Sequence, residues 1–127
     1  MKNYITKLYQ INFALLITHE IDSAFWHEWN LFGIPGGIQI FLILNLILII
    51  IFIIGMEKVI KQERNAKIFS YLLAVCGIFA FTIHTVFIFL GNPEFRSPVS
   101  IIVLVLIFVV SVIQIVGLYR IRFYPVN

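Results

Sequence analysis

The stretch Ile38-Gln39-Ile40-Phe41-Leu42-Ile43-Leu44-Asn45-Leu46-Ile47-Leu48-Ile49-Ile50-Ile51-Phe52-Ile53-Ile54-Gly55 decides the fold. Fifteen of its eighteen residues are Ile, Leu or Phe, and none is charged. A run of that length and purity reaches across the roughly 30 Å hydrocarbon core of a bilayer as a helix. It does not alternate apolar with polar residues, as a barrel strand of about 10 residues must. Closed barrels and helices are the two structures that satisfy every backbone polar group in lipid, and this pattern selects the helix.

Working outward, three further blocks read the same way. The sequence predicts helices over about 4–29, 38–55, 68–90 and 99–119, filling one domain of residues 1–127. The predicted fold is all-α: an up-and-down integral membrane four-helix bundle. Gly33, Pro35, Gly36 and Gly37 break the first connection. Glu57 to Lys67 forms a basic second connection, and Gly91 to Pro98 a short third one. Hydrophobic residues make up 61% of the chain and charged ones 12%, against about 25% charged in soluble domains. No polar surface for a soluble fold is available. The first block carries Thr18, His19, Glu20, Asp22 and Ser23 and lacks a small-residue cleavage site, so it is read as a mature helix rather than a leader.

Orientation follows from the basic residues flanking the blocks. With the N-terminus in the cytoplasm, Lys2, Lys7, Lys58, Lys61, Arg64, Lys67, Arg120 and Arg122 share one side, and Arg96 stands alone on the other. Both termini are therefore expected to be cytoplasmic. The net charge of +3 is explained by this topology, and no nucleic-acid partner is expected. The lipid bilayer is the first partner. A lipid or small-molecule ligand and a homo-oligomer are further candidates. Cys76, the single cysteine, reads as a small buried apolar residue. Asn45, Ser111 and Gln114 read as interhelical hydrogen-bonding residues, Gly77 and Gly117 as close-packing positions, and Trp26, Trp29, Tyr119 and Tyr124 as interface anchors.

The informative polar residues gather at one depth. His19, Glu20, Asp22, His27 and Glu28 fall in the outer part of the first block, His84 in the outer half of the third, and Glu94 in the turn above. At 100° per residue, His19 and Asp22 lie about 60° apart on one helix face, with Glu20 and His27 on the adjacent stripe and Glu28 farther round. Inserting an acid at a helix centre costs about 2.5–3.5 kcal/mol, so this stripe should face the bundle interior.

The stretch from Thr18 to Trp29, with its T-H-E-x-D and H-E-W motifs, resembles an uncharacterised family of small bacterial four-helix membrane proteins. The segment Asn92 to Ser100 is similar to that family's second polar turn. The resemblance implies a bacterial inner (plasma) membrane and carries no assigned activity. His19 and Asp22 also resemble the first half of the H-x-x-E-E membrane protein motif, with Ser23 in place of its last acid. At the level of architecture the chain is similar to sterol-isomerase-like bundles.

Three functions stay open. The leading one is a structural or accessory membrane protein held by a polar network of His19, Glu20, Asp22 and His84. The second is a membrane-embedded hydrolase acting on a lipid-like substrate. There, His19, Asp22, His84 and His27 are candidate ligands for a divalent metal such as zinc, with Glu20 or Glu28 as general base. The H-E-x-x-H zinc helix is absent, because Ser23 follows His19 by four and Leu31 follows His27 by four. The third is a proton- or small-ligand-binding transport module, with a pocket lined by Trp26, Phe81 and Phe87.

Overall fold

The computed structural model of the chain describes residues 2–121, in which every regular element is a helix. The elements are α1 (Lys2–Phe25), α2 (Glu28–Leu31), α3 (Gly37–Lys61), α4 (Ala66–Phe89) and α5 (Pro98–Arg120). Arg122 and Tyr124, used above as a topology signal and an interface anchor, lie outside the described residues.

Helices α3, α4 and α5 are long and apolar enough to cross a membrane. At 1.5 Å per residue, their 23–25 residues measure roughly 35–38 Å. Helix α1 has 24 residues but is not among these three. Asn12, Thr18, His19, Glu20, Asp22 and Ser23 dilute its apolar run. The long helices close a ring: α1 packs on α3 and α5, α3 on α4, and α4 on α5, while α1 also touches α4 across the middle.

The packing is inverted relative to a soluble bundle. Only 11% of the most apolar window of α3 is buried, and 28% of those of α4 and α5. Leu42, Ile43, Leu46 and Ile47 point outward. Beside its apolar core, the interior also holds Asn12, His19, Ser23, Ser70, His84, Ser100, Ser111 and Gln114. A helix that is hydrophobic all round needs an apolar solvent or an apolar neighbour, and here most of that surface has no protein neighbour.

Midway along the bundle, polar groups tie three helices together. Asn12 of α1 donates to Ser111 Oγ at 3.0 Å and to Gln114 Oε1 at 2.9 Å on α5. Gln114 donates in turn to the Ser70 carbonyl of α4 at 2.9 Å. Ser111 and Gln114 thus bond between helices, and Asn45 of α3 donates to the Phe41 carbonyl of its own helix and hydrogen-bonds to Glu20 of α1. Tyr9 reaches the Phe52 carbonyl, linking α1 to α3. Below and around these bonds sits a core of Ile5, Tyr9, Phe13, Phe52, Leu73 and Leu118.

The helix ends depart from the sequence reading by physical causes. Helix α3 continues past Gly55 to Lys61, supported by a Glu57–Lys61 pair one turn apart and closed by Gln62 in the left-handed region at φ 57°. Helix α5 begins with Ser97 as N-cap, its Oγ accepting from the Ser100 amide, and Pro98 in the first turn. Helix α1 stops at Phe25, short of the expected Trp29, with consequences described below.

Gly77 sets how closely α4 approaches α5. A Cβ there would stand 2.8 Å from Ile107 Cγ2 and closer still to Ser111 Oγ. Gly77→Ala is expected to destabilise the fold by about 1–3 kcal/mol through overpacking. Thr82→Ala, which removes an exposed hydroxyl bonded to its own helix, should stay within about 0.5 kcal/mol. Equilibrium unfolding in mixed micelles measures both.

Candidate metal centre

The break after Phe25 builds the site. Trp26 N still donates to the Asp22 carbonyl at 3.0 Å, and the turn then tightens as His27 N donates to the Ala24 carbonyl at 3.4 Å. His27 then takes φ 54°, ψ 50°. A non-glycine residue is uncommon there and carries strain. The reversal starts the one-turn helix α2, and its first residue, Glu28, turns back under the end of α1. Glu28 is only 9% exposed.

Three side chains from three elements converge there: His19 of α1, Glu28 of α2 and His84 of α4. One ligand atom from each lies within 4.8 Å of the others. Among the described residues this is the one such grouping of His, Cys, Asp or Glu. The imidazoles of His19 and His84 meet edge to face with centroids 4.6 Å apart. His84 Nε2 stands 3.3 Å from Glu28 Oε1. Ser23 Oγ lies 3.4 Å from His19 Nε2. Both histidines are 1% exposed.

The polar atoms of this cluster are poorly satisfied. His19 Nδ1, His84 Nδ1 and Glu28 Oε2 are buried without a hydrogen-bond partner, and His84 Nε2 has only its 3.3 Å contact with Glu28 Oε1. Each unsatisfied buried polar group costs about 1–3 kcal/mol. Two imidazoles and a carboxylate are a donor set suited to a divalent ion. Zinc takes His₂Glu sets with an open position, and non-haem iron takes two histidines and a carboxylate. Tetrahedral zinc with bonds of about 2.0–2.1 Å places its ligand atoms roughly 3.3 Å apart, so side-chain rotation of about an ångström would close the cluster.

Other candidate residues take different places. Asp22 accepts from Trp26 Nε1 at 3.1 Å, one turn along α1, and stays outside the cluster. His27 is exposed and stacks on Trp29 with centroids 5.0 Å apart. Glu20, half-buried, faces a groove between α1, α2 and α3. Glu94 lies in the α4–α5 turn, half-buried. Of the aromatic residues expected around a ligand, Trp26 packs near Phe95, Phe81 stacks on Phe108, and Phe87 meets Phe32. The groove uses Trp29, Phe32 and Phe41 instead.

Phe95 is a further site residue that the sequence reading passed over. It is 1% exposed, its ring lies 4.1 Å from that of His84 and 5.7 Å from that of His19, and it sits at φ 62°. A bulky aromatic residue in the left-handed region is held there by its surroundings. Its one sequence signal was a phenylalanine within an otherwise polar turn.

With this geometry in view, the comparison with known sequences is short. A family model matches residues 5–121, which includes all three converging side chains. The chain belongs to the family of unknown function DUF6713. No curated protein and no solved structure matches it. The DUF6713 assignment brings no assigned activity.

Phe95 covers the histidine pair, and its removal should expose it. In wild-type protein, diethyl pyrocarbonate should modify His27 quickly and His19 and His84 slowly. Phe95→Ala is expected to speed modification of His84 by about an order of magnitude, equivalent to ~1.4 kcal/mol of lost protection. Peptide mass spectrometry reads each site separately, and an unchanged His84 rate would show that the cover lies elsewhere.

Proposed function

We propose that this DUF6713 chain is an integral membrane protein that binds a divalent metal ion. In this reading His19, Glu28 and His84 are the ligands, within a four-helix bundle whose termini face the cytoplasm. Helix α1 becomes the fourth span because its polar stripe is turned inward, leaving residues such as Ile11, Ile21 and Phe25 outward. The basic residues on the α3–α4 connection, Lys58, Lys61, Arg64 and Lys67, support the cytoplasmic placement of that end. The family resemblance supports a bacterial plasma membrane. The metal centre then lies in the outer half of the bundle, beneath the α4–α5 turn.

The observation that carries the metal reading is the convergence of two fully buried imidazoles and a carboxylate with half of their polar atoms unpaired. A purely structural network would be expected to satisfy its members, since buried polar groups are normally hydrogen-bonded. The Asn12–Ser111–Gln114 network in the same bundle does so. A three-ligand set also keeps a coordination position free, as catalytic metal sites do. Glu20 remains the candidate general base for a hydrolytic use of such a site, because it faces the groove that Glu28 also lines. Asp22 and His27 are not ligands in this proposal.

Protein purified in detergent and loaded with Zn²⁺ should retain about one equivalent per chain by elemental analysis. His19→Ala, Glu28→Ala and His84→Ala should each weaken retention at least about 100-fold, beyond the 10–100-fold typical for loss of an outer-shell partner. Asp22→Asn and His27→Ala should leave it unchanged. Wild-type protein that holds no metal, with His84→Ala merely less stable, would overturn the metal reading and favour the structural network.

A further inference from the structure

A groove of about 340 Å³ opens on the flank of the bundle between α1, α2 and α3. That volume falls within the range of small-molecule sites, roughly 300–1,000 Å³. Its walls are apolar, with Phe41, Leu44 and Leu48 of α3 facing Trp29 and Phe32. Three polar side chains line it: Glu20, Glu28 and Asn45.

Their hydrogen-bonding capacity is one-sided. One N–H of Asn45 donates to the Phe41 carbonyl at 3.1 Å and the amide also hydrogen-bonds to Glu20, while Asn45 Oδ1 is buried and unpaired. Glu28, nine-tenths buried, leaves Oε2 unpaired while Oε1 faces His84. Glu20 presents its carboxyl group to the groove. No lysine or arginine lines the groove. The unpaired atoms, Asn45 Oδ1 and Glu28 Oε2, are therefore acceptors beside apolar walls. A ligand complementary to this arrangement carries N–H donors, positive charge and an apolar tail.

We propose that the groove binds a long-chain primary ammonium amphiphile, its head held by Glu20 and Asn45 and its tail laid along Phe41, Leu44 and Leu48. The site is separate from the metal proposal. Glu28 is shared, but the head group has Glu20 and Asn45 when Glu28 is engaged by a metal. A quaternary ammonium has the charge without the N–H donors, and a sulfate head has neither.

Trp29 in the groove wall reports occupancy. In a Trp26→Phe background reconstituted in nanodiscs, a primary alkylamine brominated on its chain should quench Trp29 fluorescence saturably. It should do so at concentrations at least about tenfold below those needed for the matching trimethylammonium or alkyl sulfate, a difference of ~1.4 kcal/mol. Glu20→Gln, nearly isosteric, should abolish the preference, and Asn45→Ala should reduce it. Removing metal with a chelator, or introducing His84→Ala, should leave amine quenching in place, so failure of the metal proposal remains distinguishable. Equal quenching by all three heads would mean simple partitioning into lipid and would overturn the proposal. So would an amine preference that survives both Glu20→Gln and Asn45→Ala.

Discussion

Hydrocarbon solvates nothing polar, and that constraint organises this molecule. A side chain able to hydrogen-bond must find its partner within the bundle when the surrounding phase offers none. Ile and Leu therefore face outward on α3, α4 and α5, and the interior collects Asn12, Ser70, Ser111, Gln114 and the two histidines. Interhelical hydrogen bonds in membranes average only about 0.6 kcal/mol. Their influence here is on register: Asn12 has one pair of partners on α5, and a helix sliding by a turn would lose both. Gly77 acts in the same direction by sterics, since it admits Ser111 against the backbone of α4.

Register in turn fixes which polar groups meet at the other depth. With α1 held against α5 and α4 by Asn12 and Gln114, His19 arrives two turns farther along α1, at the level of His84 on α4. The two rings are then forced edge to face in a space that admits no lipid and little else, because Phe95 fills it from above. Two strained residues frame this point. His27 and Phe95 both occupy left-handed backbone conformations, each costing on the order of 1–3 kcal/mol. Both belong to connections and not to spans, so the strain sits where the backbone can reach partners outside its own helix.

The hydropathy blocks made the long helices legible, and depth alone brought His19 and His84 together, because two helices of known polarity share one ruler. Ser111 and Gln114 were legible as interhelical bonders for a similar reason: an amide and a hydroxyl on one face of an apolar helix have few alternatives. Glu28 was not legible as a neighbour of His84. Nine residues separate it from His19, which at 100° per residue places it on the opposite face of a continuous helix. Only the break at Trp26 and His27 returns it, and no glycine or proline marks that break in the sequence. Asp22 misled in the opposite way. Its helical phase favours the His19 face, yet Trp26, four residues on, takes one of its oxygens. Asn45 bonds both ways, its amide donating to the Phe41 carbonyl one turn back and also reaching Glu20 on α1, so residue type alone marked only the interhelical half.

Glu28 also connects the two sites proposed here. Its Oε1 is turned to His84 and its Oε2 lies unpaired at the wall of the groove, so one carboxylate separates the histidine pair from the groove. A carboxylate in that position need not belong to either side alone. Drawn onto a cation held with the histidines, it leaves Glu20 and Asn45 as the acceptors nearest the groove. Drawn toward a donor in the groove, it leaves the two imidazoles facing each other with no acid between them. Glu20 and Asn45 hold the groove's head-group contacts in either case, so the two sides share a side chain without depending on each other.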